Sequence, residues 1–152
     1  HDVEFIAAEP VEDGLDVNAE LLIPTTGVTG LTGEEGLVNW LLGPRLHVGA
    51  QINTEGGSSQ IYAGFTWTEE VADGIWLGFG AGGARHNGET TRLGAGRKAL
   101  GSKTLFRLSA ELGVDLTDHL NVSLYFDHES NAFLASRNPG LDNYGVRTGW
   151  RF

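Results

Sequence analysis

The sequence predicts an all-β fold, an eight-stranded antiparallel up-and-down transmembrane β-barrel that forms a single domain over residues 1–152. Apolar and polar residues alternate with period two along most of the chain, which is typical of strands with one apolar and one polar face. The connections fit up-and-down hairpins: Glu69–Gly74 and Leu116–His119 are short turns and Asn53–Ser59 is a Gly/Ser loop. The longer connections are Pro24–Gly36, His86–Lys103 and Glu129–Leu141. No apolar run approaches the roughly 20 residues of a transmembrane helix.

The predicted strands follow one another in chain order. A weak first strand is expected around Val3, Phe5 and Ala7. The clearer strands are Leu15–Ile23, Leu46–Ile52, Ile61–Trp67, Ile75–Ala81, Phe106–Leu116, Leu120–Phe126 and Val146–Phe152. Trp40 and Leu42 are interpreted as an upstream extension of the strand around Leu46, although Pro44 interrupts it. No helix of convincing length is expected.

Composition and charge exclude several classes of protein. The formal net charge of −10 argues against a nucleic-acid-binding protein, which normally carries a basic face. The chain has no cysteine, so it has no disulfide, zinc–thiolate site or cysteine nucleophile. Glycine accounts for 23 of the 152 residues, about twice its usual share of 7%.

The polar faces of the strands favour a membrane barrel over a soluble one. They are rich in glycine, which gives room in the crowded interior of a small barrel. They also carry charges of both signs, which can pair inside a lumen: Asp16, Glu20, Arg45, Arg107, Glu111, Asp115, Arg147 and Arg151. The C-terminal Trp150-Arg151-Phe152 resembles the aromatic ending of bacterial outer-membrane barrels. A soluble lipocalin-like barrel, with the apolar face inside, stays open as an alternative.

The topology follows if the N-terminus faces the periplasm, as in small barrels. The connections Asn53–Ser59, His86–Lys103 and Glu129–Leu141 are then extracellular, and Leu116–His119 is a periplasmic turn.

A candidate active site lies in the stretch from Phe126 to Asp142. Counting by twos from Leu124 places His128 and Ser130 on the outward face, and the same count on the last strand places Asp142 there. Ionisable side chains at a lipid-facing position are costly and indicate function. A serine, an imidazole that takes its proton and a carboxylate that orients the imidazole are the parts of a hydrolase triad. Asn131, Asn138 and backbone N–H groups of the loop are candidate donors to the oxyanion of acyl transfer.

The pattern His128-x-Ser130-Asn131-Ala132, followed by Asn138 and Gly140-Leu141-Asp142, resembles the lipid A 3-O-deacylase family, PagL. This resemblance implies an eight-stranded outer-membrane barrel of Gram-negative bacteria with a Ser–His–Glu triad on its lipid-facing surface. Ser130 would be the nucleophile, His128 the base and Asp142 the acidic member, with Asp in place of the family's Glu. Asn131 and Asn138 match the family's asparagines.

The resemblance also implies the substrate, which is the 3-linked acyl ester of lipid A in lipopolysaccharide. The expected location is the outer membrane, with the active site facing the outer leaflet. Outer-membrane lipids are further expected partners, a homodimer stays open, and no cofactor, metal or nucleic acid is expected. Two alternative functions stay open: a non-enzymatic small outer-membrane barrel with a structural or adhesive role, and a soluble lipocalin-like lipid-binding barrel.

Other polar residues receive simpler interpretations. Asp127 and Glu129 are expected to be inward or solvated rather than catalytic. His47 and Trp76 are expected in the interior, and His86 and His119 are expected to be solvated at strand ends. The cations of one long outer loop either contact lipid phosphates or are solvated, and both interpretations stay open: Arg85, Arg92, Arg97, Lys98 and Lys103.

Overall fold

A computed structural model describes residues 14–25, 37–91 and 98–152, without the side chains of residues 37–39. Within these ranges seven strands form one antiparallel sheet in which each strand pairs with its neighbour in the chain. The strands are β1 (Asp16–Pro24), β2 (Arg45–Asn53), β3 (Gln60–Ala72), β4 (Ile75–His86), β5 (Thr104–Asp115), β6 (Leu120–Ser130) and β7 (Leu141–Trp150). The up-and-down antiparallel sheet is therefore confirmed. The strand expected around Val3, Phe5 and Ala7 lies outside the described residues, so the eighth strand and closure of the barrel stay predictions.

One element differs from the sequence prediction. Residues Leu37–Leu42 form a short helix, α1, so the interpretation of Trp40 and Leu42 as an extension of a strand is wrong. Leucine favours a helix, and Gly43-Pro44 ends this one, with the Gly43 N–H donating to the Trp40 carbonyl at 3.2 Å. No helix in the described ranges is long and apolar enough to cross a membrane.

Helix α1 is attached to β3 through aromatic contacts. The Trp67 indole N–H donates to the Leu41 carbonyl at 3.1 Å. The rings of Trp40 and Trp67 lie with centroids 6.1 Å apart. The helix is therefore held against the end of the sheet that lies away from the candidate site.

The two faces of the sheet have opposite character. The outward face is apolar and largely exposed, with Leu124 at 64% and Val17 at 63%. Its exposed members include Val17, Leu21, Val48, Ile52, Ile61, Phe65, Phe79, Phe106, Leu108, Leu112, Leu124, Val146 and Trp150. The inward face buries charge, with Arg107 at 1% exposure and Asp127 and Glu129 at 0%. A water-soluble barrel has the reverse arrangement, and a lipid-facing wall needs this one.

Arg107 and Arg147 on the inward face pair with carboxylates, as the sequence predicts. Arg107 forms a salt bridge with Asp127 at 2.9 Å, and its guanidinium lies 3.8 Å from the centre of the Tyr62 ring. Arg147 on β7 bonds to Asn18 on β1 at 2.8 Å and pairs with Glu20 at 3.3 Å. Because β1 and β7 are not neighbours in the sheet, these contacts show that the sheet curls around a common polar interior.

Candidate active site

His128 and Asp142 are direct partners across the antiparallel ladder of β6 and β7. Their side chains leave the sheet on the outward face, and His128 Nδ1 lies 2.5 Å from Asp142 Oδ1. The imidazole is 45% exposed and the carboxylate 18%. Since the carboxylate holds Nδ1, Nε2 is the ring nitrogen left to exchange a proton with another group.

Ser130 is the last residue of β6 and follows His128 by two positions on the same face. Residues two apart on a strand have Cα atoms about 6.6–7 Å apart, within reach of an imidazole and a hydroxyl. Phe106 on β5 is the cross-strand partner of Ser130 and is 55% exposed. The serine therefore lies two residues from His128 along β6 and opposite the apolar Phe106 on β5.

Gly140 packs against the ring of His128. Its φ is +73°, and a Cβ built on it would lie 3.2 Å from His128 Cε1. Both features favour glycine, because other residues rarely adopt this conformation and a side chain here would press on the imidazole. Counting by twos along the strands did not predict this role of Gly140. Its position directly before the strand that starts at Leu141 does indicate a turn glycine.

The loop after Ser130 is organised by Asn131, which is 2% exposed. Its backbone N–H donates to Asn138 Oδ1 at 2.9 Å. Its side-chain amide donates to the carbonyls of Leu100 at 3.0 Å and Arg137 at 2.5 Å. The two predicted asparagines are thus bonded to each other directly after the serine, and Asn131 fastens this loop to the preceding outer loop.

A tight turn projects two apolar side chains beside Ser130. Ala132 and Phe133 have φ values of 51° and 62°, and the Leu134 N–H donates to the Asn131 carbonyl at 3.0 Å. This is the pattern of a type I′ turn. Phe133 is 85% exposed and Leu134 is 80% exposed, so the loop has an apolar tip.

The predicted phosphate-contacting cations have different surroundings. Arg92 and Arg97 lie outside the described residues. Lys98 is 2% exposed and its Nζ donates to the Gly140 carbonyl at 3.4 Å, so it links the two outer loops. Lys103 is exposed, with its Nζ bonded to the carbonyls of Gly88 at 2.5 Å and Asn87 at 3.3 Å.

The simpler interpretations of the remaining polar residues hold, except for His86. Asp127, Glu129, His47 and Trp76 are buried on the inward face, as predicted. The prediction that His86 is solvated is wrong, because it is 4% exposed with Nε2 2.7 Å from the Ser102 carbonyl.

The reason for the burial of His86 is that the outer loop folds back over the end of the sheet. Leu100, Leu105 and Leu141 form a small buried cluster there. At the opposite end, His119 is exposed and stacks on Trp150, with ring centroids 5.5 Å apart. Across the described ranges, no group of three or more His, Asp or Glu side chains is arranged to hold a metal ion.

Comparison with known proteins identifies the family of the chain. A search of curated proteins and a search of solved structures gave no significant match. The family model described as Lipid A 3-O-deacylase (PagL) matches residues 26–151. Because the match spans most of the chain, including both strands of the candidate site, this protein belongs to the lipid A 3-O-deacylase (PagL) family.

Proposed function

We propose that this protein is a serine esterase of the outer membrane that hydrolyses the 3-linked acyl ester of lipid A in lipopolysaccharide. The observation that carries the proposal is the hydrogen bond from His128 to Asp142 on the outward apolar face, with Ser130 two residues along the same face. Family membership supplies the substrate class.

The proposed reaction has two halves. Ser130 Oγ attacks the ester carbonyl carbon while His128 Nε2 takes the hydroxyl proton, and Asp142 stabilises the imidazolium through Nδ1–H. The tetrahedral intermediate collapses, the C–O bond to the sugar breaks, and His128 returns the proton to the leaving sugar hydroxyl. Water then attacks the acyl-serine with His128 again as base, which releases the fatty acid and restores Ser130.

Asn138 is the better of the two predicted oxyanion donors. The two amide hydrogens of Asn131 already donate to the Leu100 and Arg137 carbonyls. Asn138 uses Oδ1 to accept the Asn131 N–H, which leaves its Nδ2 hydrogens for the developing negative charge. A single donor of this kind contributes about 10²–10³ in kcat in other acyl-transfer enzymes.

The position of the triad suits an ester near the membrane surface. The strand ends that carry His128, Ser130 and Asp142 would lie at the outer leaflet, where the esters of lipid A lie. Exposed apolar residues continue below them on the same face, with Leu124 at 64% and Tyr144 at 55% exposure. Such a face accommodates an acyl chain. The exposed cations Arg85 and Lys103 are proposed to contact lipid phosphates.

Mass spectrometry of lipid A from cells that express the wild type or Ser130→Ala tests the proposal. The wild type should remove one hydroxyacyl chain, and Ser130→Ala should leave lipid A intact. Ser123→Ala is the matched control, because Ser123 lies on the same strand but faces inward, 3% exposed and bonded to Glu111 at 3.3 Å. Intact lipid A in wild-type cells with folded protein in the outer membrane would favour the non-enzymatic alternative.

A further inference from the structure

We propose that Asn143 and Asp127, on the inward face of the barrel wall, are positioning residues for the His128–Asp142 pair on the outward face. The inference rests on the proposed function and adds to it residues that never touch the substrate.

The register places the two pairs side by side. Asp127 is the ladder partner of Asn143, and the next pair along is His128 with Asp142. Asn143 Nδ2 donates to Asp127 Oδ1 at 2.8 Å. Asn143 is 4% exposed and Asp127 is 0% exposed, so this hydrogen bond lies in the interior directly behind the catalytic pair.

The Asp127 carboxylate accepts hydrogen bonds from side chains on three adjacent strands. Arg107 on β5 donates through Nε to Oδ2 at 2.9 Å, the Tyr125 hydroxyl on β6 donates to the same oxygen, and Asn143 on β7 donates to Oδ1. Buried hydrogen bonds to a charged group are stronger than neutral ones and costly to break. The three strands that surround the candidate site are therefore fastened at one carboxylate.

The His128–Asp142 pair depends on these hydrogen bonds to Asp127 because it lies near the end of the β6–β7 ladder. Only the pair of Glu129 and Leu141 follows it before the loop begins. Strand ends open locally at low free energy unless side chains hold them. The His128–Asp142 bond is partly exposed, so water can replace it when the ends of β6 and β7 open locally. Because neighbouring residues share a backbone, fixing residues 127 and 143 fixes the separation of residues 128 and 142.

The test removes the donor while keeping the shape, with Asn143→Leu in the full-length protein in detergent micelles. We expect kcat on lipid A to fall about 10- to 100-fold while KM changes less than about threefold, because misplacement of a catalytic group costs up to about 10² in rate. The proton NMR signal of His128 Nδ1–H, shifted to low field by the bond to Asp142, should move upfield or broaden. Asn143→Ser, which is smaller and polar, should give the same changes to a lesser degree if Asn143→Leu does not fold.

A matched control separates positioning from general stability. Gln51→Leu removes a similar bond on the opposite side of the interior, where Gln51, 2% exposed, donates through Nε2 to Asp16 Oδ2 at 2.7 Å. Gln51→Leu should lower stability comparably but leave kcat and the His128 signal unchanged.

The inference is overturned if Asn143→Leu and Gln51→Leu lower kcat equally, or if the His128 signal of Asn143→Leu matches the wild type. Failure of the proposed function would look different, since the wild type itself would then leave lipid A intact. The NMR comparison needs no activity and decides the positioning role in that case too.

Discussion

The imidazole of His128 and the carboxylate of Asp142 meet directly across the β6–β7 ladder, with Nδ1 2.5 Å from Oδ1. Directly opposed residues in such a ladder have Cβ atoms about 4.5–5.5 Å apart, a separation that the short aspartate side chain spans. The sequence shows Asp where the family pattern has Glu, and in this chain the shorter acid reaches the histidine.

Changing Asp142 separates the roles of charge and length. Asp142→Asn should lower kcat by about 10³- to 10⁴-fold, because the amide favours the wrong histidine tautomer and cannot stabilise imidazolium. Asp142→Glu keeps the charge but must fold an extra methylene into a gap that is already spanned, so we expect a loss of about three- to tenfold. Initial rates of fatty-acid release measure both. The exposed turn carboxylate Asp118, changed to Asn, serves as the control, and an Asp142→Asn enzyme of normal rate would exclude the triad.

Gly140→Ala should impair catalysis more than stability. The substitution forces a side chain into a backbone with φ of +73° and places its Cβ 3.2 Å from His128 Cε1. Gly74→Ala is the matched control, since φ there is +68° but the nearest atom to its Cβ is the Asp115 carbonyl oxygen at 3.7 Å. Both variants should lose about 1–2 kcal/mol of stability, and only Gly140→Ala should lose kcat, by about tenfold. Equal kcat values for the two variants would show that the contact with the imidazole is unimportant.

The apolar tip formed by Phe133 and Leu134 should matter for substrate in a membrane. Burying an exposed phenylalanine in lipid contributes about 1.5–3 kcal/mol, so Phe133→Ser should raise KM for lipid A in vesicles by about tenfold or more. The rate on a water-soluble short-chain ester should stay the same. Val71→Ser, which removes a 54% exposed apolar side chain far from the site, should change neither rate. A loss on both substrates would instead point to collapse of the type I′ turn.

The free energy of unfolding of the sheet should depend far more on the buried Arg107 than on the partly exposed Arg151. Arg107→Met leaves the carboxylates of Asp127 and Glu129 buried without the guanidinium, which is expected to cost about 3–5 kcal/mol. Arg151→Gln breaks a salt bridge with Asp115 whose arginine is 46% exposed, and should cost less than about 1 kcal/mol. Urea unfolding in lipid vesicles, followed by tryptophan fluorescence, compares them. Similar urea midpoints of unfolding for the two variants would contradict a structural role for the buried contacts of Arg107 with Asp127 and Glu129.

Period-two counting predicted the seven described strands and the faces of their side chains, because alternation in a strand is a local geometric necessity. The same count predicted that His128, Ser130 and Asp142 share the outward face of β6 and β7. The method failed where the backbone leaves the strand geometry. Trp40 and Leu42 are two positions apart, as on one face of a strand, but both residues lie in helix α1.

Period-two counting also could not predict how the loops pack against the sheet. The burial of Lys98 and His86 depends on how the outer loop folds back over the sheet. The contact of Gly140 with His128 joins a loop to a strand and leaves no periodic trace in the sequence. Asn143 has a predictable inward parity, but its partner Asp127 becomes evident only once the register of β6 and β7 is known.

The strict alternation of β6 also limits how the gene can change in length. Loss of a single codon between Leu120 and His128 would shift every later residue of β6 by one position. Asp127 and Glu129 would then turn to the outward face, and His128 and Ser130 would turn toward the interior. One such deletion would exchange the proposed esterase surface and the ionic interior at once. We therefore expect insertions and deletions in homologous genes to be confined to the loops, or to occur within this strand in pairs.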